Sequence, residues 1–291
     1  MATVAMIFAV SVNLAVAQDR VAVEMVKDIT YVVRNGEELK LDIIKPSQGE
    51  GPFPAVICIH GGAWRAGKRG DMHSIMRSLA ARGYVTISPQ YRFCPKDVFP
   101  AQVHDVKEAM RWIRSHAAEQ KIDSDRIAAL GASAGAHLAL MLGVTEAKDG
   151  LEGLSEGTTD APSTRVQAVV NIFGPTELAA EDIPEVSKPL LQAFLGGTPA
   201  EKPELTAQAS PLTFLTKDDP PILTFQGTRD PLVPHTQALK LGEKMTTLNV
   251  PGRIELLIGA GHGWGGAEMV RTLDQTVLFL DSTLKVKKPA K

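Results

Sequence analysis

Short apolar runs and polar connections alternate along this chain in a way that points to one architecture. Residues 29–33 and 39–44 are β-type stretches on either side of Asn35-Gly36. That dipeptide suits a two-residue turn with positive φ at both positions, so a hairpin is expected. From residue 55 the pattern changes. Ala55-Val56-Ile57-Cys58-Ile59 is continuously apolar, as a strand covered on both faces must be, and similar runs recur at 84–87, 127–130, 166–172, 222–225 and 254–258. Helical patterns lie between them, the clearest being the 3.6-period stripe of Val103, Val106, Met110, Ile113 and Ala117. Alternating strand and helix predicts an α/β fold: about eight strands, mostly parallel, with helices on both faces and an antiparallel ribbon at the start.

Two stretches interrupt this rhythm. Residues 146–165 are polar and rich in Gly, Ser and Thr, which reads as a surface loop. Residues 174–220 mix prolines with a short apolar helix near 190–195 and Gly196-Gly197. This second stretch is long enough to form a small cap over the carboxyl ends of the strands, where open α/β sheets bind ligands, or to be an inert excursion. No repeat or interdomain linker divides the chain, so residues 18–291 read as one domain.

Residues 1–17 are uncharged and end in Ala15-Val16-Ala17, just before Gln18-Asp19-Arg20. The small-residue pattern predicts a signal peptide at 1–17 and a secreted or periplasmic protein. The segment lacks the usual early Lys or Arg; the alternative is a buried N-terminal segment of a cytoplasmic protein. About 20 apolar residues are needed to span a bilayer, so no stable membrane insertion is expected.

Composition narrows the partners. The 291 residues carry 31 Lys plus Arg against 33 Asp plus Glu, a formal charge of −2, and 44% are hydrophobic. Such a chain has neither the basic footprint of a nucleic-acid binder nor the composition of a disordered one. Two cysteines, Cys58 and Cys94, exclude a disulfide scaffold or a cysteine-built zinc site. Cys58, in an apolar strand, reads as a structural thiol, with pairing left open. No His/Asp/Glu cluster has ligand spacing, and Asp218-Asp219 reads as a solvated turn. A small-molecule partner, no metal and no nucleic acid are expected; oligomeric state is not legible.

The chemistry is concentrated at Gly131-Ala132-Ser133-Ala134-Gly135, a G-x-S-x-G element between a strand and an apolar helix at 136–142. A serine on such a tight turn is forced outward at the top of the sheet, and small neighbours let backbone and substrate approach. Alone, the motif is equally well a Gly/Ser/Ala turn without chemistry. A serine nucleophile needs a base, and the base an orienting acid. Asp230 follows the run at 222–225 and His262 follows that at 254–258, each beyond a strand's carboxyl end, on the edge that carries Ser133. Singly, Asp230 reads as a turn aspartate and His262 as a loop histidine; together, in the order Ser133, Asp230, His262, they read as a triad. His73, His104 and His116 fall on expected helices, His235 begins one, and His137 is too close to Ser133 in sequence to reach round to it.

Acyl transfer also needs donors for an oxyanion. His60-Gly61-Gly62-Ala63-Trp64 supplies a turn of small residues whose amides are open. Gly62, Ala63 and Ala134 are the expected donors, with Gly61 shaping the turn or sharing the role, and His60 bracing it. Trp64 and Trp264 flank the expected site, as substrate contacts or equally as buried structural aromatics.

These residues, with Tyr91-Arg92, Phe99-Pro100-Ala101, Asp105-Val106-Lys107 and Asp230-Pro231-Leu232-Val233-Pro234, resemble bacterial α/β-hydrolase esterases. The chain is similar to the hormone-sensitive-lipase-like group and closer to its acetylxylan or feruloyl esterase-like relatives, over nearly all of residues 28–281. The resemblance implies a metal-free, cofactor-free serine carboxylesterase with Ser133 as nucleophile, His262 as base and Asp230 as orienting acid. Ala63 and Ala136 stand where many relatives have glycine; alanine keeps the backbone N–H. The long N-terminal cap of hormone-sensitive-lipase relatives is absent, which suggests a more open site. The expected activity is hydrolysis of short-chain or aromatic acyl esters through an acyl-enzyme, including acetyl or feruloyl groups on carbohydrates. An amidase or formamidase on the same triad and a non-catalytic binding module are the alternatives.

Overall fold

The computed structural model describes residues 21–154 and 160–285. The expected signal peptide at 1–17 lies outside the described residues. Asn35 and Gly36 take φ of 51° and 81° and join strand β1 (Val23–Arg34) to β2 (Glu37–Pro46) as an antiparallel hairpin, with Arg34 opposite Glu37. β1 is much longer than its apolar core at 29–33 suggests. It is an edge strand whose residues are exposed or half-buried apart from Tyr31; the register shift at Val26/Ile29 takes up Lys27 and Asp28, and the one at Thr30/Val32 takes up Tyr31, which is buried in the core.

The rest of the chain winds strand and helix alternately: β3 (Phe53–Ile59), α1 (His73–Ala80), β4 (Val85–Pro89), α2 (Ala101–Ser115), β5 (Ile122–Ala132), α3 (Ala134–Val144) and β6 (Ala168–Ile172). Three short helices follow, α4 (Lys188–Leu195), α5 (Pro203–Gln208) and α6 (Pro211–Phe214). Then come β7 (Ile222–Gly227), α7 (Thr236–Leu248), β8 (Gly252–Leu257) and α8 (Gly266–Leu280). The eight strands form one sheet in the order β1-β2-β4-β3-β5-β6-β7-β8. β2 runs antiparallel to β1 and β4, and every later pairing is parallel.

The unbroken apolar run of β3 has a direct cause. Successive side chains point to opposite faces, and both faces are covered. Ala55, Ile57 and Ile59 belong to the core beneath α2, α3 and α7, with Val106, Met110, Leu138 and Leu241; Val56 and Cys58 belong to the core beneath α1 and α8, with Met76, Leu79, Val277 and Leu280.

Some expectations need correction. The run at 254–258 becomes a strand that ends at Leu257; Ile258 lies beyond it and is 86% exposed. Asp219 is not solvated: it is buried, accepts the Thr216 amide at 2.7 Å and pairs with Arg165 at 3.4 Å. The described part of 146–165 is a loop pinned to α2, because the fully buried Lys107 ammonium reaches Glu152 at 2.5 Å and Thr164 at 3.1 Å. Both cysteines are buried and free. Among the described residues no helix is long and apolar enough to cross a membrane.

Candidate active site

Ser133 sits on the bend between β5 and α3 with φ 55° and ψ −123°. A non-glycine residue in that region costs about 1–3 kcal/mol and persists only where its surroundings hold it. The Ser133 amide donates to the Ile172 carbonyl at 2.9 Å, and the flanking glycines permit the tight crossing. A Cβ at Gly131 would stand 2.2 Å from the Gly135 carbonyl oxygen, and one at Gly135 would stand 2.1 Å from that of Ile59. Each glycine of the motif is therefore required by close backbone approach.

The structure brings the three expected residues together. The Ser133 hydroxyl lies 2.9 Å from His262 Nε2, and His262 Nδ1 lies 2.7 Å from Asp230 Oδ2. Since a carboxylate only accepts, Nδ1 carries the ring proton and Nε2 is the acceptor for the serine hydroxyl. Asp230 is buried, and its Oδ1 accepts the amides of Leu232 and Val233, both at 2.9 Å. Burial works to raise its pKa. The His262 bond and these two amides outweigh that and leave the carboxyl below the ordinary range, so it is an anion.

One residue of this arrangement was not singled out from sequence. Gln226, buried near the end of β7, donates from Nε2 to Asp230 Oδ2 at 3.0 Å and to the Val233 carbonyl at 2.9 Å. The signal was there: Gln226 is an amide side chain near the end of a buried strand, and a buried amide must find partners.

The turn at residues 60–64 lies alongside. Gly62 has φ 115°, and a Cβ there would meet the Ala66 carbonyl oxygen at 2.1 Å; Ala63 and Trp64 are also left-handed, at 51° and 56°. His60 braces the turn: its Nδ1 donates to the Gly61 carbonyl at 2.8 Å and its ring stacks on Tyr91, whose hydroxyl donates to the His60 carbonyl at 3.0 Å. Burial lowers the His60 pKa against the pull of that Gly61 carbonyl, so the ring is neutral. Among the described residues the amides of Gly61, Gly62, Ala63 and Ala134 have no acceptor, and all four residues line the cavity that holds Ser133.

That cavity measures about 370 Å³ and is walled by Trp64, Phe173, Ile183, Leu191, Leu232 and Val233. Its other polar side chains are already engaged. Ser187 donates to the Leu232 carbonyl at 2.7 Å, and the Gln237 amide oxygen accepts the Thr176 and Glu177 amides. Ile183 and Leu191, from the stretch at 174–220, close one side. Trp64 lines the cavity as a buried aromatic, stacked on Phe194 and donating from its indole to His137 Nδ1 at 3.2 Å. Trp264 does not line it. Its indole is tied to Thr272 at 2.9 Å and packs edge-on to Phe173, so it faces a separate cavity on the other side of that ring. No group of three or more His, Cys, Asp or Glu side chains among the described residues is placed to hold a metal ion.

A family model, BD-FAE, matches residues 41–245. The chain belongs to the BD-FAE family. The matched segment includes Ser133 and Asp230 and stops short of His262. Solved structures extend the likeness to nearly the whole chain. A truncated carbohydrate esterase from gut microbiota is 28% identical with a TM-score of 0.77, covering 93% of this chain and 99% of its own. A propionate-bound thermophilic esterase from the Planctomycetes species Thermogutta terrifontis is 25% identical with a TM-score of 0.75, covering 94% and 98%. Together with the sheet order, these place the BD-FAE chain in the α/β-hydrolase fold. Among curated proteins, Esterase LipC of Mycobacterium tuberculosis is 33% identical over 79% of this chain; the chain spans 58% of that relative's length.

Proposed function

We propose that this BD-FAE chain is a serine carboxylesterase working through an acyl-enzyme. One observation carries the reading: Ser133, His262 and Asp230 form a continuous hydrogen-bonded line of 2.9 and 2.7 Å at the edge of an apolar cavity. In this reading Ser133 Oγ attacks the ester carbonyl while His262 Nε2 takes its proton. Charge collects on the carbonyl oxygen, and the unengaged amides of the 61–63 turn and of Ala134 are the donors for it, aided by the positive end of α3. His262 then gives the proton to the departing alcohol. Water, deprotonated by the same ring, attacks the acyl carbon; the bond to Ser133 Oγ breaks, His262 returns the proton to that oxygen, and the acid leaves. Asp230 stays ionised and holds the imidazolium.

The substrate reading follows from the lining. Beyond Ser133, His262 and the amides reserved for the oxyanion, the polar side chains of the cavity are already paired, so it suits an apolar acyl group better than a sugar and leaves the alcohol outside. Acetyl and aromatic acyl groups such as feruloyl fit, and carbohydrate is the proposed alcohol, supported by the likeness to a carbohydrate esterase. Export through residues 1–17, and a cap role for 174–220, are part of the same proposal. The test is release of acetate and ferulate from xylan-type oligosaccharides, beside hydrolysis of p-nitrophenyl esters and matched anilides, each repeated with Ser133→Ala. Release that Ser133→Ala lacks supports the nucleophile and the carbohydrate ester. Turnover of simple esters alone removes the carbohydrate, and faster anilide turnover makes the protein an amidase.

A further inference from the structure

Behind the cavity that holds Ser133 lies a second one of about 320 Å³, between α1 and α8, lined by Ile75, Ile172, Phe225, Trp264 and Leu273. The two share Ala132 and Phe173 in their walls. Ser133 and His262 line only the first. The second reaches solvent beside Met269, which lines it and is 52% exposed. Its polar side chains at the α8 wall are spoken for: Thr272 accepts the Trp264 indole and Thr276 donates to the Thr272 carbonyl at 2.8 Å. On the α1 side Asp71, Ser74 and Ser78 also line it, Asp71 accepting the Lys68 amide at 3.0 Å and Ser78 donating to the Ser74 carbonyl at 3.1 Å. The rest of the wall, next to Phe173, is apolar and suits an apolar chain.

Phe173 separates the two spaces, and its backbone is unusual. It follows β6 with φ 45°, in a region that a bulky residue enters only at a cost, and its backbone N–H donates a hydrogen bond to the Phe225 carbonyl at 2.8 Å that holds it there. The ring so placed packs at 4.6 Å against His262 on one side and edge-on at 5.3 Å to Trp264 on the other.

We propose that Phe173 is the specificity-determining residue of this site, its ring closing the Ser133 cavity off from the second apolar cavity and so limiting the length of acyl group accepted. The inference rests on the esterase reading. The acyl group suits an enclosed apolar space because it stays bonded to Ser133 until water arrives, whereas the alcohol must depart first. A short or compact acyl group fits in front of the ring, and a long one meets its face. Without the ring, the space available to the acyl chain nearly doubles and continues past Trp264.

The test is a p-nitrophenyl ester series from acetate to dodecanoate, measured on the parent protein and on Phe173→Gly and Phe173→Leu. Glycine accepts the positive φ, and leucine keeps partial packing against His262, so one variant serves where the other fails to fold. The readout is the ratio of kcat/KM for long over short esters, which a loss common to all substrates does not move. The parent should favour short esters. Phe173→Gly should raise the ratio at least 10-fold and Phe173→Leu by less. Adding Met269→Trp, which fills the second cavity from its mouth, should return the ratio toward the parent's; Met269→Trp alone should leave short-ester turnover as it was. An unchanged ratio in a variant that still hydrolyses acetate overturns the proposal and leaves the esterase reading standing. Absence of Ser133-dependent turnover in the parent overturns the esterase reading itself.

Discussion

Gln226 donates a hydrogen bond to Asp230 Oδ2 at 3.0 Å, the same oxygen that accepts a hydrogen bond from His262 Nδ1 at 2.7 Å. The Gln226 amide also holds the Val233 carbonyl, so it fixes the carboxylate against the loop that supplies its two backbone donors. Hydrogen bonds to charged groups are worth about 1.5–3 kcal/mol, roughly 10- to 100-fold in a rate that depends on them. Gln226→Leu should therefore lower kcat by about that factor with KM nearly unchanged, while Gln226→Glu, placing a second carboxylate beside Asp230, should lower it further. Steady-state kinetics on p-nitrophenyl acetate check both.

Removing the members of the triad should have graded effects. Ser133→Ala should lose up to ~10⁶-fold in kcat, and Asp230→Asn about 10⁴-fold because the amide favours the wrong imidazole tautomer. Thermal unfolding of Ser133→Ala should stay at or above the parent's, since alanine loses only a hydroxyl at a strained position. A serine variant retaining most of its turnover would remove Ser133 from the chemistry.

Gly62→Ala tests the turn beside the serine. Its Cβ would fall 2.1 Å from the Ala66 carbonyl oxygen, so the turn must move and with it the amides of Gly62 and Ala63. Loss of one oxyanion donor typically costs ~10²–10³-fold in kcat, and a loss of that size is expected with the fold intact by circular dichroism. Gly36→Ala, where a Cβ meets nothing within 4 Å, should leave turnover unchanged and serves as the comparison.

His137 links acid stability to the same turn. It is fully buried; Nδ1 accepts the Trp64 indole proton, and Nε2 donates to the Ala209 carbonyl at 2.7 Å. Burial, opposed by that carbonyl, lowers its pKa to about 4. Unfolded, the ring titrates near 6.5, so between pH 6.5 and 4 the unfolded chain binds a proton that the folded one refuses. Stability is thus fully present above pH 6.5 and falls as pH drops toward 4, by roughly 3 kcal/mol from this residue. Urea unfolding across that range should show the slope in the parent and a flatter one in His137→Gln. His60 and His104, whose pKa values burial also lowers, keep part of the slope; a slope unchanged by the substitution would remove His137 as a source.

The physical reasons for success and failure in reading the sequence differ from residue to residue. The strands from β3 onward were legible because burial on both faces demands unbroken apolar runs, and the β1–β2 turn because Asn35-Gly36 suits positive φ. The ends of β1 and β8 were not, since edge strands need no apolar signal and backbone pairing carries them. Trp264 was placed wrongly. Its neighbours in sequence point to the site, but Phe173 stands between it and the Ser133 cavity.

By itself the sequence determined the α/β alternation, the turn that exposes Ser133, and the placement of Asp230 and His262 at one edge of the sheet. Each follows from short-range constraints: side-chain alternation, small residues at a close crossing, and the rule that strand ends gather in an open parallel sheet. Only the tertiary structure decided that Gln226 holds Asp230, that Ile183 and Leu191 wall the cavity, and that one phenylalanine ring divides two apolar spaces. Those relationships depend on the distance and direction of side chains brought together from separate strands and loops, and no spacing along the chain encodes them.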